Sequence, residues 1–144
     1  MEQGARESGR RFWDLTEGVI GAAVEVHRAL GPGLLESVYE TCLCRELELR
    51  GLAFARQRQL PVVYKGRTLD ASCRLDVVVE EHVVIEIKSV EALTRLHEAQ
   101  LITYLKLAKI PIGLLINFNV PKLTNGIRRL SHIKNEELDR ERGS

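Results

Sequence analysis

The chain has 144 residues, 44% of them hydrophobic and 28% charged, and its formal net charge at pH 7 is +1. This length suits one domain and is short for two, and the near-neutral charge excludes a strongly basic or acidic protein, so any nucleic-acid contact must come from a local patch. No apolar run approaches the ~20 residues that a membrane-spanning helix needs, and no secretory signal is recognisable. We therefore expect a cytoplasmic protein without membrane contact.

Two helices are predicted in the first third of the chain. After a polar segment at residues 1–13, the first helix is predicted at residues 14–30, because Asp14 can cap it and apolar residues recur at helical spacing. The second is predicted at residues 34–50, where Gly51 is a natural stop. Its expected apolar stripe consists of Leu35, Val38, Leu43 and Leu47.

From Leu60 onward the pattern changes to short runs rich in Val, Ile and Tyr, which is typical of β-strands. A meander of three strands is predicted at residues 60–64, 67–79 and 83–90, with turns at Lys65-Gly66 and Glu80-Glu81-His82. We expect an irregularity near Asp70.

The last third is predicted to contain a helix at residues 94–108, a buried strand at 112–118 and a final strand or helix near 126–133. The element order is then α-α-β-β-β-α-β. We expect one domain at residues 14–133, followed by a charged tail at 134–144.

Three charged residues, Asp76, Glu86 and Lys88, interrupt strands that otherwise look built for burial. If a three-residue turn joins the two strands, positions equally far from it lie opposite each other, so Asp76 faces Glu86. Two such carboxylates repel, yet they offer oxygen ligands for Mg²⁺ or Mn²⁺. Lys88 projects to the same face as Glu86 and could orient water or stabilise charge on a phosphate. The alternative is a solvated strand face with an ordinary salt bridge.

Two groups of helical residues could complete such a site. In the third helix, His97, Gln100 and Tyr104 share one face directly after the strand that carries the lysine, where they could position a phosphate. The alternative is a polar stripe that covers the sheet edge. In the second helix, Glu36 could be a third metal-binding carboxylate with Tyr39 beside it, or it could merely satisfy the helix dipole.

Other polar residues carry weaker signals. The three cysteines, Cys42, Cys44 and Cys73, match neither a disulfide framework nor a CxxC metal pair, so we expect free thiols without chemistry. Four basic residues surround the first predicted hairpin and could contact phosphates or form a solvated turn. They are Arg56, Arg58, Lys65 and Arg67.

With these residues in view, the sequence closely resembles the GxxExxY protein family, whose motif reads here as Gly33, Glu36 and Tyr39. The likeness covers about residues 15–130 and includes the runs EVHRALGPGLLESVYE, HEAQLITYLKLA and GLLINFNVP. That family is similar to the PD-(D/E)XK nuclease superfamily, whose RecB-like branch has a Gln-x-x-x-Tyr helix that Gln100 and Tyr104 match. One departure is that Arg74-Leu75 precedes Asp76, where the usual motif has proline.

The resemblance implies an α/β fold with a mixed core sheet flanked by helices. It also implies that Glu36 is the first-helix acid, that Asp76 and Glu86 bind the metal, and that Lys88 is the catalytic lysine. We accordingly predict a Mg²⁺- or Mn²⁺-dependent nuclease that acts on nucleic acid, with DNA as the expected substrate, and Glu36 as a further ligand. Substrate positioning is assigned to Gln100, Tyr104, His97 and Tyr39.

Three questions stay open at this point. The chain could be a binding or interaction module that keeps the fold without activity, or an enzyme that acts on a nucleotide or another phosphate ester. A domain this small offers little surface for a duplex, which is compatible with a homodimer.

Overall fold

The fold contains three α-helices and five β-strands within the residues that the structure describes. The structure is a computed structural model that describes the backbone of residues 2–133 and the side chains of residues 14–133. The elements are α1 (Glu2–Leu30), α2 (Glu36–Leu49), β1 (Phe54–Tyr64), β2 (Arg67–Val79), β3 (Val83–Lys88), α3 (Arg95–Ala108), β4 (Ile112–Asn117), a 3-10 turn (Leu123–Gly126) and β5 (Ile127–Ser131). The predicted order α-α-β-β-β-α-β is confirmed, and the undecided segment near 126–133 is strand β5. The predicted tail at 134–144 lies outside the described residues.

The five strands form one mixed sheet in the order β1-β2-β3-β4-β5. Strands β3 and β4 are parallel, and the other neighbours are antiparallel. Helix α3 joins the two parallel strands, because a parallel pair needs a crossover connection. The expected α/β fold with a mixed, helix-flanked sheet is therefore confirmed.

Helices cover both faces of the sheet and create two apolar clusters. One cluster packs α1 and α2 against the sheet and includes Ile85 and Ile87 of β3. The other packs α3 against the opposite face and includes Val84. Because strand side chains alternate between faces, Glu86 and Lys88 project to the side of the sheet that carries α3.

Helix α1 is longer than predicted, because it begins at Glu2 and not at Asp14. Asp14 lies inside the helix and does not cap it. The preceding polar segment contains three Arg and two Glu, which favour helix, so helical backbone continues there without an apolar stripe to predict it. No helix in the part of the chain that the structure describes has the length and apolar character to cross a membrane.

The predicted apolar stripe of α2 was half wrong. Leu43 and Leu47 are fully buried, but the side chain of Leu35 is 74% exposed and that of Val38 is 39% exposed. Leu35 is the residue before the helix, and the buried face instead begins at Tyr39. The error arose because α2 has apolar residues on both of its sides, and the sequence alone does not show which side faces the core.

The strand predictions differ from the structure mainly at β1, which begins at Phe54 and not at Leu60. Its first half alternates Arg and Gln and therefore gives no apolar signal. The expected irregularity near Asp70 is confirmed, because the β1–β2 register shifts between Pro61 and Val63. That shift leaves three residues of β2 (69–71) opposite a single residue of β1, Val62.

Candidate active site where strands β2 and β3 separate

The register of β2 and β3 brings Asp76 and Glu86 together. Three residue pairs connect the strands in the register that the three-residue turn predicts, ending at Val77 and Ile85. Beyond that pair, Glu86 Oε1 accepts a hydrogen bond from the Asp76 N–H (3.3 Å), and Asp76 Oδ2 accepts one from the Ile87 N–H (2.9 Å). Each carboxylate is thus held by the backbone of the opposite strand, in place of a regular ladder bond.

The local backbone explains why the strands separate here. Leu75 and Val78 both pack on the α3 side, whereas Val77 packs on the opposite side. Strict alternation would place residues 75 and 77 on one face, so the strand is rotated at Asp76. On the neighbouring strand, Gln57 has a φ of 50° and is skipped in the β1–β2 pairing. The distortion frees Asp76 to turn its carboxylate towards β3.

Glu86 is a buried carboxylate beside a second carboxylate, with only 6% of its surface exposed. Burial and the negative charge of Asp76 raise the pKa of Glu86 to about 8. The Asp76 N–H and the positive charge of Lys88 act in the opposite direction without cancelling the rise. The pair is therefore short of positive charge, which is the electrostatic condition for binding a cation.

Tyr104 and Gln100 of α3 lie on the same side of the sheet. Gln100 Nε2 donates a hydrogen bond to the Tyr104 hydroxyl (3.2 Å). Partial burial raises the pKa of Tyr104, and the charges of Cys73 and Glu86 add to that rise, so the hydroxyl lies within electrostatic reach of the carboxylate pair. Tyr104 is therefore near enough to Glu86 for their charges to interact, and Gln100 contacts Tyr104, with Cys73 beside the tyrosine.

His97 is on the same helix but serves as part of its N-terminal cap. The Thr94 N–H donates to His97 Nδ1 (3.0 Å), and the His97 N–H donates to Thr94 Oγ1 (3.2 Å). This reciprocal pair is a capping box, with histidine in the place usually taken by Glu or Gln. The Nδ1 atom of His97 is thereby used to start α3. Substrate positioning by His97 stays a prediction.

Glu36 reaches the end of β3 from the opposite side of the sheet. Its Oε1 atom accepts a hydrogen bond from the Ser89 N–H (3.3 Å), and Ser89 Oγ donates to the Leu34 carbonyl (2.6 Å). Within the described range, no three His, Cys, Asp or Glu side chains converge as metal ligands. The expected trio of Glu36, Asp76 and Glu86 is therefore not assembled, because α2 packs on the face opposite α3.

Tyr39 is a core residue. Its side chain is fully buried and stacks on Phe118 with a ring-centroid distance of 4.5 Å. Its hydroxyl donates to the Gly31 carbonyl (2.6 Å) and accepts from the Leu34 N–H (3.1 Å). We correct its predicted contact with substrate to a structural role, in which it fixes the loop that leads to Glu36.

Asn117 was missed by the sequence analysis, although it supports the end of β3. It is 1% exposed and lies opposite Lys88 in the parallel pairing. Its side-chain oxygen accepts from the Val90 N–H (3.0 Å), and its amide donates to the Val90 carbonyl (2.9 Å). The sequence does contain a signal for this role, because Asn117 is the one polar side chain in a strand of buried apolar residues. A buried amide must find hydrogen-bond partners.

The cysteines are free thiols. Burial raises the pKa of Cys44 to about 11, so its thiolate is disfavoured. Cys73 is the one nearest the candidate site, through its contact with Tyr104.

Comparison with known families gives one match. A model of the PD-(D/E)XK nuclease superfamily matches residues 13–130, which is well over half of the chain. No curated protein and no solved structure matches the chain. The matched range includes the separated strands and the helix that carries Gln100 and Tyr104.

Proposed function

Because the chain belongs to the PD-(D/E)XK nuclease superfamily, we propose that it is a divalent-metal-dependent nuclease that hydrolyses phosphodiester bonds of DNA. We further propose its place in the GxxExxY family, on Gly33, Glu36 and Tyr39, with residues 14–133 as the functional domain. The observation that carries the proposal is that the buried Glu86 lies beside a second carboxylate, that of the half-buried Asp76, so the pair is short of positive charge.

Asp76 and Glu86 would hold the metal ion, Mg²⁺ or Mn²⁺. Magnesium commonly takes one or two protein carboxylates and completes its shell with water and phosphate oxygens, so two protein ligands are sufficient. The donor set fits, because a cation relieves the repulsion that raises the pKa of Glu86. When bound, the ion supplies Lewis-acid polarisation of a phosphoryl oxygen and of water.

The other residues act around that pair. The Lys88 ammonium, on the same face as Glu86, orients the attacking water and stabilises negative charge that develops on the phosphate. Gln100 and Tyr104 donate hydrogen bonds that position the substrate backbone. Glu36 acts from the rim, where its contact with Ser89 holds the residue that follows Lys88.

The test is cleavage of labelled duplex DNA and RNA with Mg²⁺, Mn²⁺ or EDTA. Lys88→Ala should abolish metal-dependent cleavage, whereas Lys106→Ala, which removes an exposed lysine near the end of α3, should not. Cleavage that survives Lys88→Ala would contradict the assignment.

The same assay separates the rival functions. Binding of DNA without cleavage under any metal condition would indicate a non-catalytic nucleic-acid-binding module. Faster hydrolysis of free nucleotides than of DNA would indicate an enzyme for small phosphate esters. Sedimentation of the chain with and without duplex tests the homodimer.

A further inference from the structure

Strands β1 and β2 extend beyond the rest of the sheet as a two-stranded ribbon. Strand β3 pairs with β2 only at residues 77–79, whereas β1 and β2 stay paired out to Tyr64 and Arg67. We call residues 61–72 the arm. All of its residues are exposed except Val62, which is half-buried. With a rise of about 3.3 Å per residue, the four residues that β1 contributes (61–64) span roughly 13 Å, and β2 contributes residues 67–72 opposite them.

The tip of the arm is a tight turn of two residues, Lys65 and Gly66. Both have positive φ angles, 50° and 77°, as a type I′ hairpin turn requires. Asparagine is the usual residue at the first of these positions, and a lysine is uncommon there because its side chain disfavours the left-handed region. The chain thus holds a cation at the tip at some conformational cost.

The arm carries two cations, Lys65 and Arg67, and one carboxylate, Asp70, so its net charge is +1. At its base, Arg56 is paired with Glu40 (2.9 Å) and Arg58 with Glu81. Lys65 and Arg67, by contrast, form no ion pair with any carboxylate in the described part of the chain. The four basic residues therefore divide into two that are neutralised within the fold and two that are available to a ligand.

The free cations lie on the same side as the candidate active site. Leu60 and Leu75, at the base of the arm, both pack against the α3 side of the sheet. Every second residue of β1 from Leu60 shares that face, which includes Tyr64, and Tyr64 lies opposite Arg67. The exposed ring of Tyr64 also lies under the Lys65 ammonium, 5.5 Å from nitrogen to centroid.

We infer that the arm enters a groove of duplex DNA next to the cleavage centre, with Lys65 and Arg67 contacting phosphates. This inference rests on the proposed nuclease function and names its substrate as double-stranded. The major groove, about 12 Å wide and 8.5 Å deep, admits a two-stranded β-ribbon.

The arm is poorly suited to single strands. Proteins that bind single-stranded nucleic acid stack successive bases on several aromatic side chains. Among residues 14–133, Tyr64 is the only exposed Phe, Tyr or Trp side chain. One ring and two cations fit a duplex backbone better than a row of unstacked bases.

The test is the affinity for a labelled duplex and for its single strand, measured by fluorescence anisotropy with Mg²⁺ in the Lys88→Ala chain, which prevents cleavage. Lys65→Asn and Arg67→Gln are each added to that chain. The matched control is Lys109→Asn, because Lys109 also has a positive φ of 58° but lies at the C-terminal end of α3, at the opposite end of the sheet from the arm.

We expect each arm substitution to weaken duplex binding several-fold. It should also reduce the slope of log affinity against log salt concentration by about 1 in magnitude, as loss of one phosphate contact does. Lys65→Asn should leave the melting temperature unchanged or raise it, since Asn-Gly is the favoured turn. Single-strand affinity should change little, and the control should bind as its parent does.

Equal duplex affinity in all variants would overturn the inference, while metal-dependent cleavage by the wild-type chain would leave the nuclease proposal intact. A change of sedimentation without a change of duplex affinity would also overturn it and would make the arm an interface between copies. A wild-type chain that neither binds nor cleaves DNA would refute both proposals.

Discussion

Two glutamates of this chain are equally buried but have opposite surroundings. Glu40 is 7% exposed, and its carboxylate receives hydrogen bonds from Arg56 and Gln57. Glu86 is 6% exposed, but the charged neighbour that affects it most is another carboxylate, that of Asp76. The first arrangement is complete within the fold, whereas the second becomes balanced only when a cation is added. Burial alone therefore does not mark a functional acid, whereas burial beside a second carboxylate is the pattern expected of one.

The largest expected difference between the two glutamates is in cleavage. Glu86→Gln should reduce the cleavage rate at least about a hundredfold, because it removes a proposed metal ligand. Glu40→Gln should leave the rate within about twofold of wild type, although it should cost about 2 kcal/mol of stability through the lost charged hydrogen bonds. Initial rates on labelled duplex and urea unfolding of both variants give the two quantities. Equal loss of activity in both would remove the distinction.

A second difference concerns the pH dependence of stability without metal. The pKa of Glu86 is about 8 in the folded chain against an ordinary value of 4.5. At pH values between these two, the folded state therefore binds more protons than the unfolded state. The free energy of unfolding should therefore fall as pH rises from about 4.5 to 8. Glu86→Gln should flatten that fall, and Glu40→Gln should not. Denaturant unfolding in EDTA at a series of pH values measures the free energy of unfolding against pH. The same pH dependence in Glu86→Gln as in wild type would argue against a raised pKa of Glu86.

Substitutions on α3 should have intermediate effects. Gln100→Ala and Tyr104→Phe are expected to lower kcat/KM about tenfold while metal affinity is unchanged, since their proposed role is to position the substrate and not to bind the ion. Cleavage kinetics beside a Mn²⁺ titration of each variant separate the two quantities. If neither kcat/KM changes, this helix face is a structural cover for the sheet.

The cysteines should have the smallest effect. Replacing Cys42, Cys44 and Cys73 together by Ala is expected to leave metal content and cleavage within about twofold of wild type, with some loss of stability from the buried Cys44. Metal analysis and the cleavage assay test this. A stoichiometric zinc or iron signal that disappears with the substitutions would show a metal site that we have not assigned.

The sequence predicts well what short-range geometry determines. Asp76 and Glu86 could be placed opposite each other because a three-residue turn and strand alternation define the register between them. The third helix, predicted at residues 94–108, begins at Arg95 and ends at Ala108, with Thr94 as its N-cap.

What the sequence could not predict depends on contacts between distant segments. The spacing of Glu36 and Tyr39 places both on one side of α2, but it does not show which side faces the core or which face of the sheet α2 covers. Tyr39 proved to be buried against Phe118. The ion pair between Glu40 and Arg56 likewise joins a helix to an edge strand whose polar sequence gave no strand signal.

The most direct test of the cation site is calorimetric titration of the metal-free chain with Mn²⁺ at pH 7, in buffers of different ionisation enthalpy. Wild type and Glu40→Gln should bind Mn²⁺ and release close to one proton per ion, because a pKa of about 8 leaves Glu86 mostly protonated at this pH. Asp76→Asn should bind much more weakly. Equal Mn²⁺ affinity in Asp76→Asn and wild type, without proton release, would contradict the account.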